Sequence, residues 1–217
     1  PMMHNASFEA LGLDYRYLAF DVNEETLPTA VAGLKVLGAR GFNLTMPDKN
    51  LMVSLCDELS TAARIIGAVN TVVNENGRLV GHNTDGIGYM QSIKDAGYDI
   101  IGKKMTLLGA GGAATAILVQ AALDGLKEIS VFVRPTSRFY DRLVHTVEEL
   151  TEITDCRIKI CDFSDADLLK KELADSAILT NGTSVGMAPH EDTCPVPENL
   201  TFPKDLIVSD IIYNPRE

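Results

Sequence analysis

Short apolar runs alternate with amphipathic stretches along the second half of the chain. Five apolar runs predict strands, at Met105–Leu108, Ile129–Val133, Arg157–Cys161, Ala177–Asn181 and Leu206–Ile212. Apolar residues at helical spacing between them predict helices near 113–123, 140–152 and 165–173. Strands that alternate with helices indicate a parallel, doubly wound sheet with helices on its faces.

The first half of the chain mixes strands and helices less regularly. Its predicted strands are Tyr15–Val22, Gly41–Thr45, Ala68–Asn74 and Leu79–His82, the last two joined by an Asn-Gly turn. Its predicted helices cover 1–11, 27–37, 48–56, 60–65 and 87–96. The chain opens within a predicted helix and stops just after a predicted strand, so we expect flanking segments to be missing from it.

The predicted fold class is α/β, in two domains. An N-terminal α/β domain would cover residues 1–86, and residues 87–102 would form a connecting helix and loop. A Rossmann-type domain with a doubly wound parallel sheet would follow over 103–217.

A glycine-rich turn lies between the first strand and the first helix of the second domain. Gly109, Gly111 and Ala114 have the spacing G-x-G-x-x-A. The first glycine lets the chain turn sharply, the second lets backbone approach a pyrophosphate, and the small alanine lets helix and strand pack closely. The helix N-terminus offers free N–H groups to the phosphates. This context predicts dinucleotide binding, although a turn of this kind without a ligand is the alternative.

An excess of acidic residues restricts the partners. With 30 Asp and Glu against 19 Lys and Arg, the net charge is −11, which argues against binding to nucleic acid or to an anionic membrane. No apolar run approaches the roughly 18 residues that a membrane span needs. The four cysteines are scattered without flanking histidines, so we predict no metal site and expect free thiols in a reducing cytoplasm.

Three polar clusters follow apolar segments in the first half, at Asn43–Lys49, Asn70–Thr71 and Asn83–Gly86. Each has a simpler interpretation: a solvated surface lysine, polar residues at a strand edge, and an Asx turn with Asp85 as a helix cap. Open α/β sheets place ligands at the carboxyl ends of their strands. Taken together, the clusters therefore predict a site for a polyhydroxylated ring beside a nicotinamide.

Five motifs in series resemble one enzyme family. They are Asn43–Lys49, Ile65–Thr71 (with AVNT), Asn83–Gly86 (NTDG), Gly109–Ala113 (GAGGA) and Asn181–Met187 (NGTSVGM). Their order and spacing resemble the shikimate dehydrogenases, and segments such as MPDK resemble the quinate/shikimate branch. The resemblance implies reversible hydride transfer between the C3 hydroxyl of shikimate and NADP, giving 3-dehydroshikimate, within aromatic amino-acid biosynthesis. It also implies quinate as a further substrate and allows a homodimer.

The resemblance also implies roles for individual residues. The catalytic pair would be Lys49 and Asp85, with Lys49 as the acid/base and Asp85 orienting it. Substrate would be bound by Tyr17, Thr45, Asn70 and Tyr213. Cofactor would be bound by Gly109, Ala110, Gly111, Gly112, Ala113, Arg134, Arg138, Thr183, Ser184 and Ile211.

The residues after the second nucleotide-binding strand bear on the choice of cofactor. An NAD site usually has a carboxylate there that binds the ribose 2′-hydroxyl, but no Asp or Glu occurs between this strand and Asp141. Arg134 and Arg138 match the two arginines that hold the 2′-phosphate of NADP in the family, whereas Val133 and Pro135 depart from its pattern. We therefore predict NADP, with NAD as an alternative. Two other functions stay open: a methylene-folate dehydrogenase and a non-catalytic dinucleotide-binding module.

Overall fold

The computed structural model describes residues 1–189 and 191–214. Within these residues, nine strands form one sheet of four strands and one of five. The last three residues of the predicted second domain lie outside the described part of the chain.

The helices and strands follow the predicted order closely. The helices are α1 (Met2–Ala10), α2 (Leu27–Val36), α3 (Thr61–Ile66), α4 (Asp85–Asp95), α5 (Gly112–Leu123), α6 (Tyr140–Ile153) and α7 (Ala166–Leu173). The strands are β1 (Gly41–Asn43), β2 (Glu58–Leu59), β3 (Thr71–Glu75), β4 (Arg78–His82), β5 (Lys104–Leu108), β6 (Glu128–Val133), β7 (Arg157–Asp162), β8 (Ile178–Asn181) and β9 (Ile207–Asp210).

The larger sheet confirms the predicted fold class. Its order is β7-β6-β5-β8-β9, and every neighbouring pair is parallel, as in the doubly wound dinucleotide-binding folds. One face packs against α4, α5 and α6, and the other packs against α7. Because both faces are covered, β5 and β6 are buried along their whole length.

The smaller sheet has the order β1-β3-β4-β2 and is antiparallel except between β2 and β4. The predicted Asn-Gly turn joins β3 to β4, with positive φ at both Asn76 and Gly77. Positive φ at both central residues suits a tight hairpin turn. The sheet and α2 enclose a separate apolar core that includes Leu27, Val72 and Leu79.

Two predictions for the first half are wrong. Residues 15–22 join neither sheet of the described structure. The Asn5 side chain instead donates to the Tyr17 carbonyl at 2.9 Å and accepts from the Tyr17 N–H at 2.8 Å, so a side chain of α1 holds the backbone of Tyr17. The predicted helix at 48–56 is a turn followed by a short 3₁₀ helix, Leu51–Leu55.

The two halves meet through helices. Arg64 of α3 pairs with Glu149 of α6, and Arg142 of α6 donates to the Ile66 carbonyl. Tyr89 and Ile93 of α4 lie in the same core as Met105 and Leu107 of the larger sheet. The helix α4 therefore packs with the second half of the chain. The division into two domains at residues 87–102 stays a prediction.

Candidate active site

A lysine and an aspartate from distant parts of the chain form an ion pair. Lys49 lies in the turn after β1, Asp85 is the first residue of α4, and Lys49 Nζ is 2.9 Å from Asp85 Oδ2. Their side chains are 20% and 42% exposed, so a solute can reach the pair. The structure thus brings together the two residues that the sequence analysis assigned to catalysis.

Asn70 holds the second oxygen of Asp85. Its Nδ2 donates to Asp85 Oδ1 at 2.8 Å, and its Oδ1 accepts from the backbone N–H of Thr84 at 3.0 Å and from the hydroxyl of Thr71 at 2.9 Å. Asn70 is itself buried. With fixed donors on both oxygens, Asp85 is suited to orient Lys49 as a hydrogen-bond acceptor.

The start of α4 is held by Asn83 and not by Asp85. The buried Asn83 donates to the Ala68 carbonyl at 3.1 Å, and its Oδ1 accepts from the Asp85 N–H at 3.1 Å. An Asx turn is therefore present, but Asn83 forms it, and the Asp85 carboxylate is left to face Lys49. The interpretation of Asp85 as a helix cap is wrong.

Hydrogen bonds extend this cluster to Tyr17. Tyr17 OH donates to Asn43 Oδ1 at 3.0 Å, and Asn43 Nδ2 donates to Thr71 Oγ1 at 2.9 Å. The hydroxyl of Thr71 in turn donates to Asn70. The sequence analysis did not assign roles to Asn43 and Thr71, although both lie in or beside the motifs that it identified.

Two predicted substrate residues lie apart from these hydrogen bonds. Thr45 is exposed, and its backbone carbonyl accepts from the Asp48 N–H. Tyr213 is 77% exposed. Within the described residues neither side chain makes a hydrogen bond, so both are available to a ligand but are not placed by protein contacts.

The glycine turn leaves room where a dinucleotide would bind. Gly109 has a φ of +98°, and a Cβ there would lie 2.9 Å from Thr183 Cγ2, so this position needs glycine. A Cβ on Gly111 or Gly112 would meet no atom of the described residues within 4 Å. In the part of the chain that the structure describes, no side chain caps the N-terminus of α5, and Ala113 is exposed while Ala110 is buried. Open backbone N–H groups at a helix start suit a pyrophosphate.

A second loop beside the glycine turn is fixed by Asn181 at the end of β8. Asn181 Oδ1 accepts from the Thr183 N–H at 3.0 Å and from its hydroxyl at 2.7 Å, and Asn181 Nδ2 donates to both oxygens of Asp210. The Ile211 N–H donates to the Asn181 carbonyl, and Ser184 is exposed. The supporting roles of Asn181 and Asp210 were not predicted.

Two exposed arginines follow the carboxyl end of β6. The Ser137 N–H donates to the Arg134 carbonyl at 2.9 Å, which bends the chain after the strand. The Arg138 guanidinium lies 4.7 Å from the centre of the Phe139 ring. Within the described residues neither arginine forms an ion pair. Two unpaired guanidinium groups can bind a phosphate.

Among the described residues, no group of three or more His, Cys, Asp or Glu side chains could hold a metal ion.

Known proteins similar to this chain identify its family. Residues 1–72 match the family model of the shikimate dehydrogenase substrate binding domain. The shikimate dehydrogenase (NADP(+)) of Listeria monocytogenes serotype 4b (strain F2365) is 52% identical over 217 residues, which are 100% of this chain and 74% of that protein. The chain belongs to the shikimate dehydrogenase family.

Two solved structures place this shikimate dehydrogenase family member among its structural relatives. The shikimate 5-dehydrogenase of Listeria monocytogenes, in complex with shikimate and NAD, has a TM-score of 0.95 at 51% identity, covering 100% of this chain and 75% of that chain. The ligand-free 5-ketofructose reductase of Gluconobacter sp. strain CHM43 has a TM-score of 0.83 at 33% identity, covering 98% and 74%. The predicted family resemblance is confirmed.

Proposed function

We propose that this member of the shikimate dehydrogenase family catalyses reversible hydride transfer between the C3 carbon of shikimate and NADP. The Lys49–Asp85 pair carries the proposal, because Nζ and Oδ2 lie 2.9 Å apart in an accessible site. The 52% identity with a shikimate dehydrogenase (NADP(+)) supports both the substrate and the cofactor.

The reaction needs a proton acceptor beside the substrate hydroxyl. Bound NADP supplies the hydride acceptor in one direction, and NADPH the hydride donor in the other. As the C3–H bond breaks and the C3=O bond forms, the neutral amine of Lys49 takes the hydroxyl proton and becomes the ammonium that pairs with Asp85. In the reverse direction this ammonium returns the proton to the substrate oxygen. Asp85 and Asn70 hold Lys49 in position through the hydrogen bonds at 2.9 and 2.8 Å.

The remaining predicted residues are proposed to bind the two ligands. Tyr17 and Asn70 lie in one hydrogen-bonded cluster, and Thr45 and Tyr213 would add contacts to the substrate. The glycine turn with Ala110 and Ala113 would hold the pyrophosphate, and Arg134 with Arg138 the 2′-phosphate. Thr183, Ser184 and Ile211 would line the nicotinamide side. The open space at Gly111 and Gly112 supports this assignment.

A substrate and cofactor panel tests the proposed function. Shikimate, quinate and 5-ketofructose are each offered with NADP(H) and NAD(H), and the absorbance of reduced nicotinamide is followed. We expect turnover with shikimate and NADP, and slower turnover with quinate. Cofactor binding without turnover of any substrate would indicate a non-catalytic module. Turnover of 5-ketofructose alone would indicate a ketose reductase and not a shikimate dehydrogenase.

We also propose an oligomeric state, a cellular location and a domain division for this protein. We propose a homodimer, which sedimentation velocity would test, and we keep the predicted division at residues 87–102. A reducing cytoplasm is supported by the four free cysteines. Among the described residues, none of the helices has the length and apolar character to cross a membrane.

A further inference from the structure

One buried hydrogen bond joins the helix of Asp85 to a strand of the larger sheet. Tyr89 is 8% exposed, and its hydroxyl lies 2.5 Å from the hydroxyl of Thr180 on β8, 91 residues away. Tyr89 follows Asp85 by four residues on α4. Residues four apart lie on the same side of a helix. Tyr89 therefore lies one helical turn after Asp85, on the same side of α4.

A second hydroxyl accompanies Thr180. Thr180 and Ser209 are direct partners in the ladder between β8 and β9. Burial raises the pKa of Tyr89, and hydrogen bonds with Thr180 and Ser209 partly offset this rise. The phenol is therefore neutral at physiological pH, and its hydroxyl bonds to Thr180 in β8.

The strand that Tyr89 contacts, β8, leads directly into one of the loops proposed to hold the nicotinamide, and it is tied to the other. Asn181 follows Thr180, and its side chain fixes Thr183 and bonds to Asp210. Ile211 follows Asp210 and donates to the Asn181 carbonyl. A short path of hydrogen bonds and adjacent residues thus runs from α4 to both loops.

We infer that Tyr89 is a positioning residue, whose hydroxyl sets the distance between the Lys49–Asp85 pair and the loops at the ends of β8 and β9. The inference rests on the proposed function. Hydride transfer depends steeply on the distance between donor and acceptor carbons, and a misplacement of about 1 Å can cost about 100-fold in rate. Neither Tyr89 nor Thr180 needs to touch a ligand for this role.

Removal of either hydroxyl tests the inference. Tyr89→Phe and Thr180→Val each break the bond, and Tyr98→Phe is a matched control on a half-exposed tyrosine whose hydroxyl makes no hydrogen bond among the described residues. We expect kcat to fall by about tenfold or more in both variants, with KM for shikimate changed less than about twofold. The deuterium isotope effect on kcat should increase. The double variant should be no slower than the single ones, because the pair acts as a unit.

Hydrogen–deuterium exchange gives a readout that does not need turnover. In Tyr89→Phe, backbone amides at 85–89 and 180–184 should exchange faster, while those of β6 keep their wild-type rates. Unchanged exchange, or equally faster exchange throughout, would overturn the inference, as would wild-type kcat and isotope effect in an active enzyme. If the wild-type protein does not turn over shikimate, the proposed function fails, and the exchange pattern alone decides the role of Tyr89.

Discussion

Gly86 lies so close to Ala116 that a methyl group on Gly86 would be 2.3 Å from the Ala116 carbonyl oxygen. The same methyl group would lie 2.6 Å from Gln120 Cβ. Gly86 follows Asp85 at the start of α4, and Ala116 is one turn into the helix that starts at the glycine turn. The lack of a side chain at Gly86 therefore lets the ion pair and the proposed cofactor turn approach each other.

Replacement of Gly86 should separate these two helices. In Gly86→Ala the methyl group must displace backbone, so we expect a loss of about 1–3 kcal/mol in the free energy of unfolding and at least a tenfold loss of kcat/KM, on the order expected for misplaced groups. Urea denaturation and steady-state kinetics measure the two effects.

Gly88→Ala is the matched control for this prediction. Gly88 lies in the same helix, and a Cβ there would meet no atom within 4 Å among residues 1–189 and 191–214. Alanine is preferred to glycine within helices, so this variant should be as stable as wild type or more stable by about 0.5–1 kcal/mol. Equal effects of the two substitutions would contradict the packing argument.

Lys49→Ala should remove the proton acceptor. We expect kcat to fall by about 100-fold or more, while the dissociation constant for shikimate rises much less, because other groups share the binding. Stopped-flow kinetics and calorimetric titration measure the two quantities. Lys35→Ala is the control, since Lys35 also pairs with an aspartate, Asp57, at 3.1 Å but has no proposed catalytic role. A parallel loss of turnover and affinity would make Lys49 a binding residue.

Arg134→Ala should change cofactor preference. Without this guanidinium, kcat/KM for NADP should fall by about tenfold or more, the size expected for a charge-assisted bond to phosphate. The value for NAD should stay near wild type, because NAD lacks the 2′-phosphate. The ratio of the two constants is the measurement, and NAD serves as the internal control. An unchanged ratio would exclude Arg134 from the cofactor site.

A buried ion cluster makes stability depend on pH. Glu172 accepts from Lys104 at 2.7 Å and from Ser130 at 2.6 Å. Burial raises the pKa of Glu172, but hydrogen bonds from Lys104 and Ser130, with the charges of Lys104 and Lys159, outweigh it and bring the pKa to about 2 from 4.5. The unfolded chain therefore binds more protons between these values. The contribution of Glu172 to the free energy of unfolding should be fully present above pH 4.5 and should be lost as the pH falls toward 2.

Glu172→Gln should flatten this part of the stability profile. At neutral pH we expect a loss of about 1–3 kcal/mol in the free energy of unfolding. This loss is smaller than that of a buried charge left without any partner, because Lys104 keeps its ion pairs with Glu128 and Asp175. Urea denaturation at several pH values measures the change. The exposed Glu152, changed to Gln, is the control. An unaltered slope between pH 4.5 and 2 would contradict the assigned role of Glu172.

Local pattern predicted most elements but not residues 15–22. Alternating apolar and aromatic residues predicted a strand there, yet those residues join neither sheet of the described structure. A strand requires a neighbour for its backbone hydrogen bonds, and alternation along the chain does not show whether such a neighbour is present. The two hydrogen bonds between the Asn5 side chain and the backbone of Tyr17 join residues 12 positions apart, and a pattern of neighbouring residues does not predict them.

The sequence by itself determined the α/β class, the glycine turn and the polar motifs, because each depends on residues within a few positions of one another. Only the tertiary structure decided that Asp85 accepts from Asn70 while Asn83 holds the helix start, and that Tyr89 bonds to Thr180 across 91 residues. Such contacts depend on strand order, on register and on the closeness with which α4 and α5 pack. Residue spacing along the chain does not encode these distances.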